Sequence, residues 1–382
     1  MVFLDISRAF DRVWHEGLLH KLKIFGIEGN LFNWFCSYLS GRSQRVVLSG
    51  CASVLMNLFA GVPQGSKLSP LLFLIFLNDI ETDLTSEISL FADDTALVQS
   101  FKNHILAESI LNNDLEKIER WATKWCVEFN HEKTEMIIFS NKKNKSHLNL
   151  KLKKHNITKS FNHKHLGIIL SADLKWSSHI DYCTKKARMK LGMLYRRSSN
   201  LNLKQKISIY MSTIRPILEY GSIIFDNCSM SDKLKLEKCQ RPAAIICTGA
   251  MRRTETETLL KELRWDSLAA RRHLLKISFF HKIVEGTISP YLQKNLTFIN
   301  QGTVNHNTRM ARLQKIKPLQ CRLESYKKSF FPQCINEWNG LPENITSITN
   351  DNSFKNKLKH HYQMHTGLNK IGLQNYSYPG FL

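Results

Sequence analysis

Ile88-Ser89-Leu90-Phe91-Ala92-Asp93-Asp94-Thr95-Ala96-Leu97-Val98 decides the fold. Two short apolar runs flank an acidic pair, and that pattern predicts a β-hairpin with both acids at its tip. An Asp-Asp pair at a turn is, taken alone, most often a solvated turn. Two stretches nearer the amino terminus give it company. Val2-Phe3-Leu4 is a continuous apolar run that ends on Asp5, which reads as a buried strand closed by an acid. Between the two lies Gly61-Val62-Pro63-Gln64-Gly65-Ser66-Lys67-Leu68-Ser69-Pro70. Its glycines and proline predict a sharply turning loop whose backbone can approach a ligand closely. Ser69 as N-cap and Pro70 as first helical residue then start a helix over residues 71–80.

Around this centre, the 382 residues suffice for two or three domains. A chain 43% hydrophobic and 23% charged is ordinary globular material, which excludes disordered, collagenous and coiled-coil classes. The net charge of +22 calls for a polyanionic partner, nucleic acid ahead of an anionic membrane surface. That charge is uneven: net +3 up to residue 172 and +19 beyond it. Strand-like runs and Gly-rich turns also give way there to segments at helical spacing, such as residues 180–197 and 265–284. We place a boundary at that point, giving regions 1–172 and 173–382. A basic, Asn-rich stretch at 141–154 reads as an exposed connection, and composition does not settle the order of the polar tail at 346–382.

Nine cysteines without a C-x-x-C pair support neither a disulfide framework nor a zinc finger. Cys228, Cys239 and Cys247 read as packing residues or free thiols, and an intracellular, reducing setting fits best. The charged residues Asp5 and Arg8 interrupt any early signal sequence, and the longest apolar run, 71–77, is far short of the roughly 20 residues of a membrane span.

The order and rough spacing of these pieces resemble the palm of a polymerase, and specifically the reverse transcriptases of non-LTR (LINE-type, jockey-like) retrotransposons. The matching stretches are Phe3-Leu4-Asp5-Ile6-Ser7-Arg8-Ala9-Phe10-Asp11, the GVPQGSKLSP loop and Phe91-Ala92-Asp93-Asp94. Residues 121–130 with Lys133-Thr134-Glu135, and His165-Leu166-Gly167, extend the match. Arg215-Pro216-Ile217-Leu218-Glu219-Tyr220, and Ser329-Phe330-Phe331-Pro332 through Trp338-Asn339-Gly340-Leu341-Pro342, resemble segments that trail this domain.

The resemblance implies an α+β fold: a palm of antiparallel sheet backed by helices over 1–172, then a mainly helical, basic thumb and extension over 173–382. It implies RNA-directed DNA polymerase activity, the transfer of deoxynucleotides to a primer 3′-hydroxyl. RNA template, DNA primer and deoxynucleoside triphosphates are the implied partners. Two Mg2+ ions, with Mn2+ as an alternative, would stand roughly 3.5 to 4 Å apart between acids from separate strands. Asp5 and Asp93 match the bridging ligands and Asp94 the adjacent third acid. Phe10 matches the aromatic that excludes a 2′-hydroxyl, although a core Phe would look the same. Gln64 and Gly65 match the loop that meets the incoming nucleotide, and Lys133 the lysine near the leaving pyrophosphate. His165-Leu166-Gly167 matches the hairpin that supports the primer end, while a plain hairpin reads alike.

Other features keep structural readings beside functional ones. Trp121 and Trp125, spaced i and i+4, read as core packing rather than base stacking. Arg196-Arg197, Arg252-Arg253 and Arg271-Arg272 suit duplex phosphates but also solvated helix faces. The resemblance places a fingers region and an endonuclease upstream, so the chain is expected to be truncated at its amino terminus, with the fingers missing. A catalytically inactive, nucleic-acid-binding remnant is the alternative function. An RNA-templated RNA polymerase fits less well, since Ala92 stands where that class more often carries Gly. Nucleus and cytoplasm both suit such an element.

Overall fold

The computed structural model describes residues 1–140, 147–299 and 315–365. Residues 141–146 of the expected basic connection and 366–382 of the tail lie outside the described residues. The chain divides into two compact units, Met1–Lys175 and Trp176–Leu382.

In the first unit a five-stranded sheet runs in the order Thr158–Lys159, Glu135–Met136, Val2–Leu4, Asp94–Val98, Glu87–Phe91. All its pairings are antiparallel except the one between Thr158–Lys159 and Glu135–Met136. Val2–Leu4 holds the middle, buried on both faces, and this explains its unbroken apolar run. Val2, Leu4 and Leu97 face a core completed by Leu18, Leu72 and Leu115 from three helices. Phe3 and Ala96 face the other way, toward Ile137 and Ala172. The mixed α+β character expected from the sequence is therefore present, with a small sheet rich in antiparallel pairing.

Helices His15–Ile24, Gly29–Leu39, Ser69–Leu77 and His104–Lys124 complete this unit. At the C-terminus of the last, Trp125 is 5% exposed and Trp121 partly buried, so both indoles pack in the core. They help enclose a buried cation. The Lys21 ammonium lies 3.8 Å from the Trp125 ring centroid and donates to the Phe76 carbonyl and the Asp79 carboxylate, which also accepts from Trp121 Nε1 at 2.8 Å. Burial pulls its pKa down, and Asp79 only partly offsets that.

The second unit is helical. Ser177–Arg197 packs against Met230–Thr248, and Leu268–Val284 packs against Phe330–Gly340 and Asp351–His365. Tyr210–Ile214 widens into a π-helical turn just before Pro216. Pro216 has no N–H to donate and its ring crowds the carbonyl four residues back, so the helix cannot keep regular spacing there. All nine cysteines are free, and burial pushes the thiols of Cys228 and Cys247 up to about 11.

The Arg271-Arg272 pair corrects a sequence expectation. Arg252 and Arg253 are exposed, as are Arg196 and Arg197, but Arg272 is 1% exposed and Arg271 makes a two-pronged pair with Glu219. Arg272 stands 3.7 Å from an Asp226 oxygen and 3.9 Å from one of Glu237, too far for direct hydrogen bonds. Lys276, 4% exposed, donates to Asp226 at 3.0 Å and lies 3.4 Å from Glu337. Here the doublet serves the interior because the partner acids sit on helices distant in sequence.

Candidate active site

Asp5 follows the central strand directly. The chain beyond it is held by Phe129, Glu128 and Asn130: Ile6 bridges Phe129, Ser7 N–H donates to the Glu128 carbonyl at 2.8 Å, and Asn130 N–H donates to the Asp5 carbonyl at 2.8 Å. Asn130 then closes a tight turn, its side-chain oxygen accepting from the N–H groups of Glu132 and Lys133 and its carbonyl from Thr134. This turn delivers the Lys133 ammonium to 3.8 Å from Asp5, with the two side chains 69% and 40% exposed. A pair so solvated adds little to stability and leaves the lysine able to move.

The acidic hairpin forms with its tip one residue earlier than the sequence suggested. Phe91 pairs with Asp94, so Ala92 and Asp93 make the turn and Asp94 opens the return strand. Ala92 takes the left-handed conformation, φ 51°, which an alanine holds under strain. Asp114, fully buried, anchors the start of the hairpin by accepting from Thr85 and Ser86 N–H. Carrying the register Phe3↔Ala96, Leu4↔Thr95 one step further sets Asp94 opposite Asp5. Both acids then share the sheet face of Phe3, over which the rings of His163 and His165 lie at 3.8 and 5.2 Å. Burial lowers the His165 pKa, while the charge of Asp94 pulls it back up.

Leu166 and Gly167 both take positive φ between strands Asn162–His165 and Ile168–Ser171, a two-residue hairpin turn with the twist such strands need. The GVPQG loop is tied to the Asp5 segment by Gly61. Its N–H donates to the Val13 carbonyl, Val62 N–H to the Phe10 carbonyl, and His15 Nε2 meets the Gly61 carbonyl at 2.7 Å. Gly61 has φ +93°, and a Cβ there would stand 2.8 Å from the Asp11 carbonyl oxygen. Gly65, φ +82°, faces open space. The following helix starts at Ser69 rather than being capped by it: the Ser69 hydroxyl donates back to the Pro63 carbonyl at 2.5 Å, with Pro70 in the first turn as expected.

These elements surround a cavity of about 750 Å³ lined by Asp5, Phe10, Gln64, Asp93 and Lys133, together with Arg8 and Asp11. Asp94 and Gly65 are not among its lining residues. Phe10 is half-buried, its ring stacked on Phe73 at 4.8 Å, so it belongs to both the cavity wall and the edge of the core. Gln64 Nε2 donates to Asp11 at 2.8 Å. Among the described residues no group of three or more His, Cys, Asp or Glu side chains stands gathered as a ready metal site. Sequence reasoning gave no role to Arg8, Asp11 or Asn130, although Asn130 three residues before Lys133 carries a legible turn signal.

Comparison with known proteins agrees with this local picture. Residues 1–170 match the family described as reverse transcriptase (RNA-dependent DNA polymerase). The RNA-directed DNA polymerase from mobile element jockey of Drosophila melanogaster is 34% identical over 278 residues, covering 69% of this chain and 30% of that protein. The probable RNA-directed DNA polymerase from transposon X-element of the same fly is 30% identical over 272 residues, with the same coverages. A Pol polyprotein from type-1 retrotransposable element R1 of Bradysia coprophila is 27% identical over 290 residues, 71% of this chain and 28% of that protein. The chain thus spans about 30% of the length of these curated relatives. Through residues 1–170, the chain belongs to the reverse transcriptase family, of the kind encoded by LINE-type, non-LTR retrotransposons.

Proposed function

We propose that this chain carries the nucleotidyl-transfer site of an RNA-directed DNA polymerase, with the sheet unit as palm and the helical unit as thumb and extension. One observation carries the reading: Asp5, Phe10, Gln64, Asp93 and Lys133, from four separate stretches of sequence, line a single cavity. Its partners would be an RNA template, a DNA primer and deoxynucleoside triphosphates. No described helix is long and apolar enough to cross a membrane.

The donor set fits a hard divalent ion, because Asp5 and Asp93 offer only oxygen and open onto solvent-accessible space. Asp94, opposite Asp5 when the strand register is carried one step further, would supply a further carboxylate at the start of the return strand. When bound, two magnesium ions would stabilise charge on the attacking and leaving oxygens. Lys133 then has a clear task. Its ammonium, loosely paired with Asp5, would meet negative charge that builds on the departing pyrophosphate. Gln64, held by Asp11, and the open backbone at Gly65 would orient the incoming nucleotide.

The Phe10 ring, propped by Phe73, would stand where a 2′-hydroxyl collides with it. Phe10→Val should therefore raise ribonucleotide use relative to deoxynucleotide use by about 10- to 100-fold, measured as a ratio of kcat/KM values. An unchanged ratio returns Phe10 to a packing role alone.

Primer extension by the purified chain on an RNA template, with magnesium and deoxynucleotides, tests the reading as a whole. Asp93→Asn keeps the size of the side chain and removes its charge, and incorporation should fall about a hundredfold or more. Incorporation indifferent to that change would overturn the proposal. Binding of the hybrid without any incorporation would favour the non-catalytic remnant.

A further inference from the structure

Lys133 belongs to no strand or helix. It sits in the turn that Asn130 closes, just before the short strand Glu135–Met136. Its side chain is 69% exposed, so packing does not hold the ammonium near Asp5. What limits its reach is where the turn is pinned. Asn130 N–H ties the start of the turn to the Asp5 carbonyl. Two further pins come from one distant stretch of chain, residues 151–159. At the front of the turn the His131 ring lies on the His155 ring, with centroids 4.1 Å apart and planes 16° from parallel. Behind it, Glu135 and Met136 pair in parallel with Thr158 and Lys159. Lys133 therefore stands between two attachments to the same strip.

The strip is itself firmly held. Lys153 and Lys154, both at positive φ, make a two-residue turn between Lys151–Leu152 and His155–Asn156. Leu152 is fully buried in the main core. Helix His104–Lys124 receives the strip as a neighbouring strand would. Asn112 Oδ1 accepts from Lys151 N–H at 3.0 Å, and the Asn112 amide donates to the Asn149 carbonyl at 3.1 Å. Glu108 accepts from Asn149 N–H at 2.9 Å, and Glu119 accepts from Lys153 N–H. Helix side chains thus satisfy backbone groups that a strand edge would leave open.

The imidazole stack itself contributes little to the core. His155 is exposed and His131 half-buried, so the contact removes little apolar surface from water. Flat rings in this arrangement do favour one mutual orientation, and so resist tilting of the turn. His131 lines the acid-walled cavity and His155 does not, so any effect of His155 on chemistry must pass through the turn.

We propose that His155 is a positioning residue for Lys133. By stacking on His131 it holds the turn so that the ammonium reaches the leaving pyrophosphate. The assignment rests on the proposed function and deepens it, naming what sets the range of the lysine. His155 touches neither substrate nor the reacting atoms.

Two measurements test it. The first is single-turnover primer extension by the 382-residue chain on an RNA template, with magnesium and deoxynucleotides. His155→Ala should lower the maximal rate constant about 10-fold and leave the half-saturating deoxynucleotide concentration unchanged. His155→Phe, which keeps a flat ring, should restore the wild-type rate. Lys133→Ala should cost about 100-fold, and His155→Ala added to it should cost nothing further. A loss that persists in the Lys133→Ala background, as general damage to the fold would, overturns the proposal. So does a loss that His155→Phe fails to repair.

The second measurement needs no incorporation. Trace acetylation of the Lys133 amine, read by peptide mass spectrometry, is compared with and without inorganic pyrophosphate and magnesium. Pyrophosphate should protect Lys133 in wild type and in His155→Phe, and should cease to protect it in His155→Ala. No protection in wild type, or equal protection in all three chains, overturns the proposal. The expected protection pattern in a chain that incorporates nothing supports the positioning role and refutes the polymerase reading. Incorporation indifferent to His155 does the reverse, so the two failures are distinguishable.

Discussion

Asp226→Ala lowers the stability of the helical unit by about 3–5 kcal/mol. Asp226 stands between two cations that have almost no access to water: Lys276 at 3.0 Å and Arg272 at 3.7 Å. Removing the acid leaves Lys276 to Glu337 and Gln333, and leaves Arg272 with only a Glu237 oxygen at 3.9 Å. An uncompensated buried charge is among the few defects large enough to threaten a whole domain. Amide hydrogen exchange along Leu268–Val284 is the measurement, because that helix carries both cations. A loss below about 1 kcal/mol would show that the cations find other partners or water.

The same group fixes a pH dependence. Burial raises the Asp226 pKa, yet Lys276 and Lys233 outweigh burial and hold it below its ordinary value of 3.8. A carboxylate depressed in the folded state contributes stability above its unfolded value, and that contribution disappears as pH falls through the folded value. The stability difference between wild type and Asp226→Asn should hold steady at neutral pH and shrink only in acid below about 3.8. A difference that changed near neutrality would assign the effect to another group.

Gly61→Ala destabilises the sheet unit by about 2–4 kcal/mol, whereas Gly65→Ala loses only about 1 kcal/mol. Both glycines take positive φ, so both substitutions carry the backbone penalty. Only at Gly61 does the added methyl meet an immovable atom, the Asp11 carbonyl oxygen at 2.8 Å. Relief requires the GVPQG loop to part from the Asp5 segment, and Phe10, hydrogen-bonded through its carbonyl to Val62, would move with it. Thermal unfolding should show a midpoint lower by roughly 4–16 °C for Gly61→Ala. Equal losses at the two glycines would mean that conformation alone, not the close approach, governs this junction.

What the sequence made legible was local. An apolar run ending in an acid, two such runs about a polar pair, and a turn-rich loop before an apolar helix each form where their short-range signals lie. The hairpin tip was misplaced by one residue because the apolar alternation extends through Ala92, and only pairing with a second strand shows that Ala92 bends. Ser69 has a capping side chain and a following proline, yet its hydroxyl is drawn to the Pro63 carbonyl by a loop conformation that local propensity does not encode. Arg271 and Arg272 look like a surface doublet because their acids, Glu219, Asp226 and Glu237, lie 35 or more positions away. The convergence of Asp5, Gln64, Asp93 and Lys133 on one cavity was legible only through family resemblance, since spacing by itself cannot state which loops meet.

The place of Val2–Leu4 at the centre of its sheet bears on how the chain is made. Its neighbours lie about 90 and about 130 residues later, so this strand must leave the ribosome and wait for both. At a synthesis rate of about 5–20 residues per second that interval is on the order of ten seconds, during which the strand lacks the two neighbours it has in the sheet. Holdase chaperones that recognise extended apolar segments are the natural occupants of that interval, and soluble yield should fall sharply in translation extracts depleted of them.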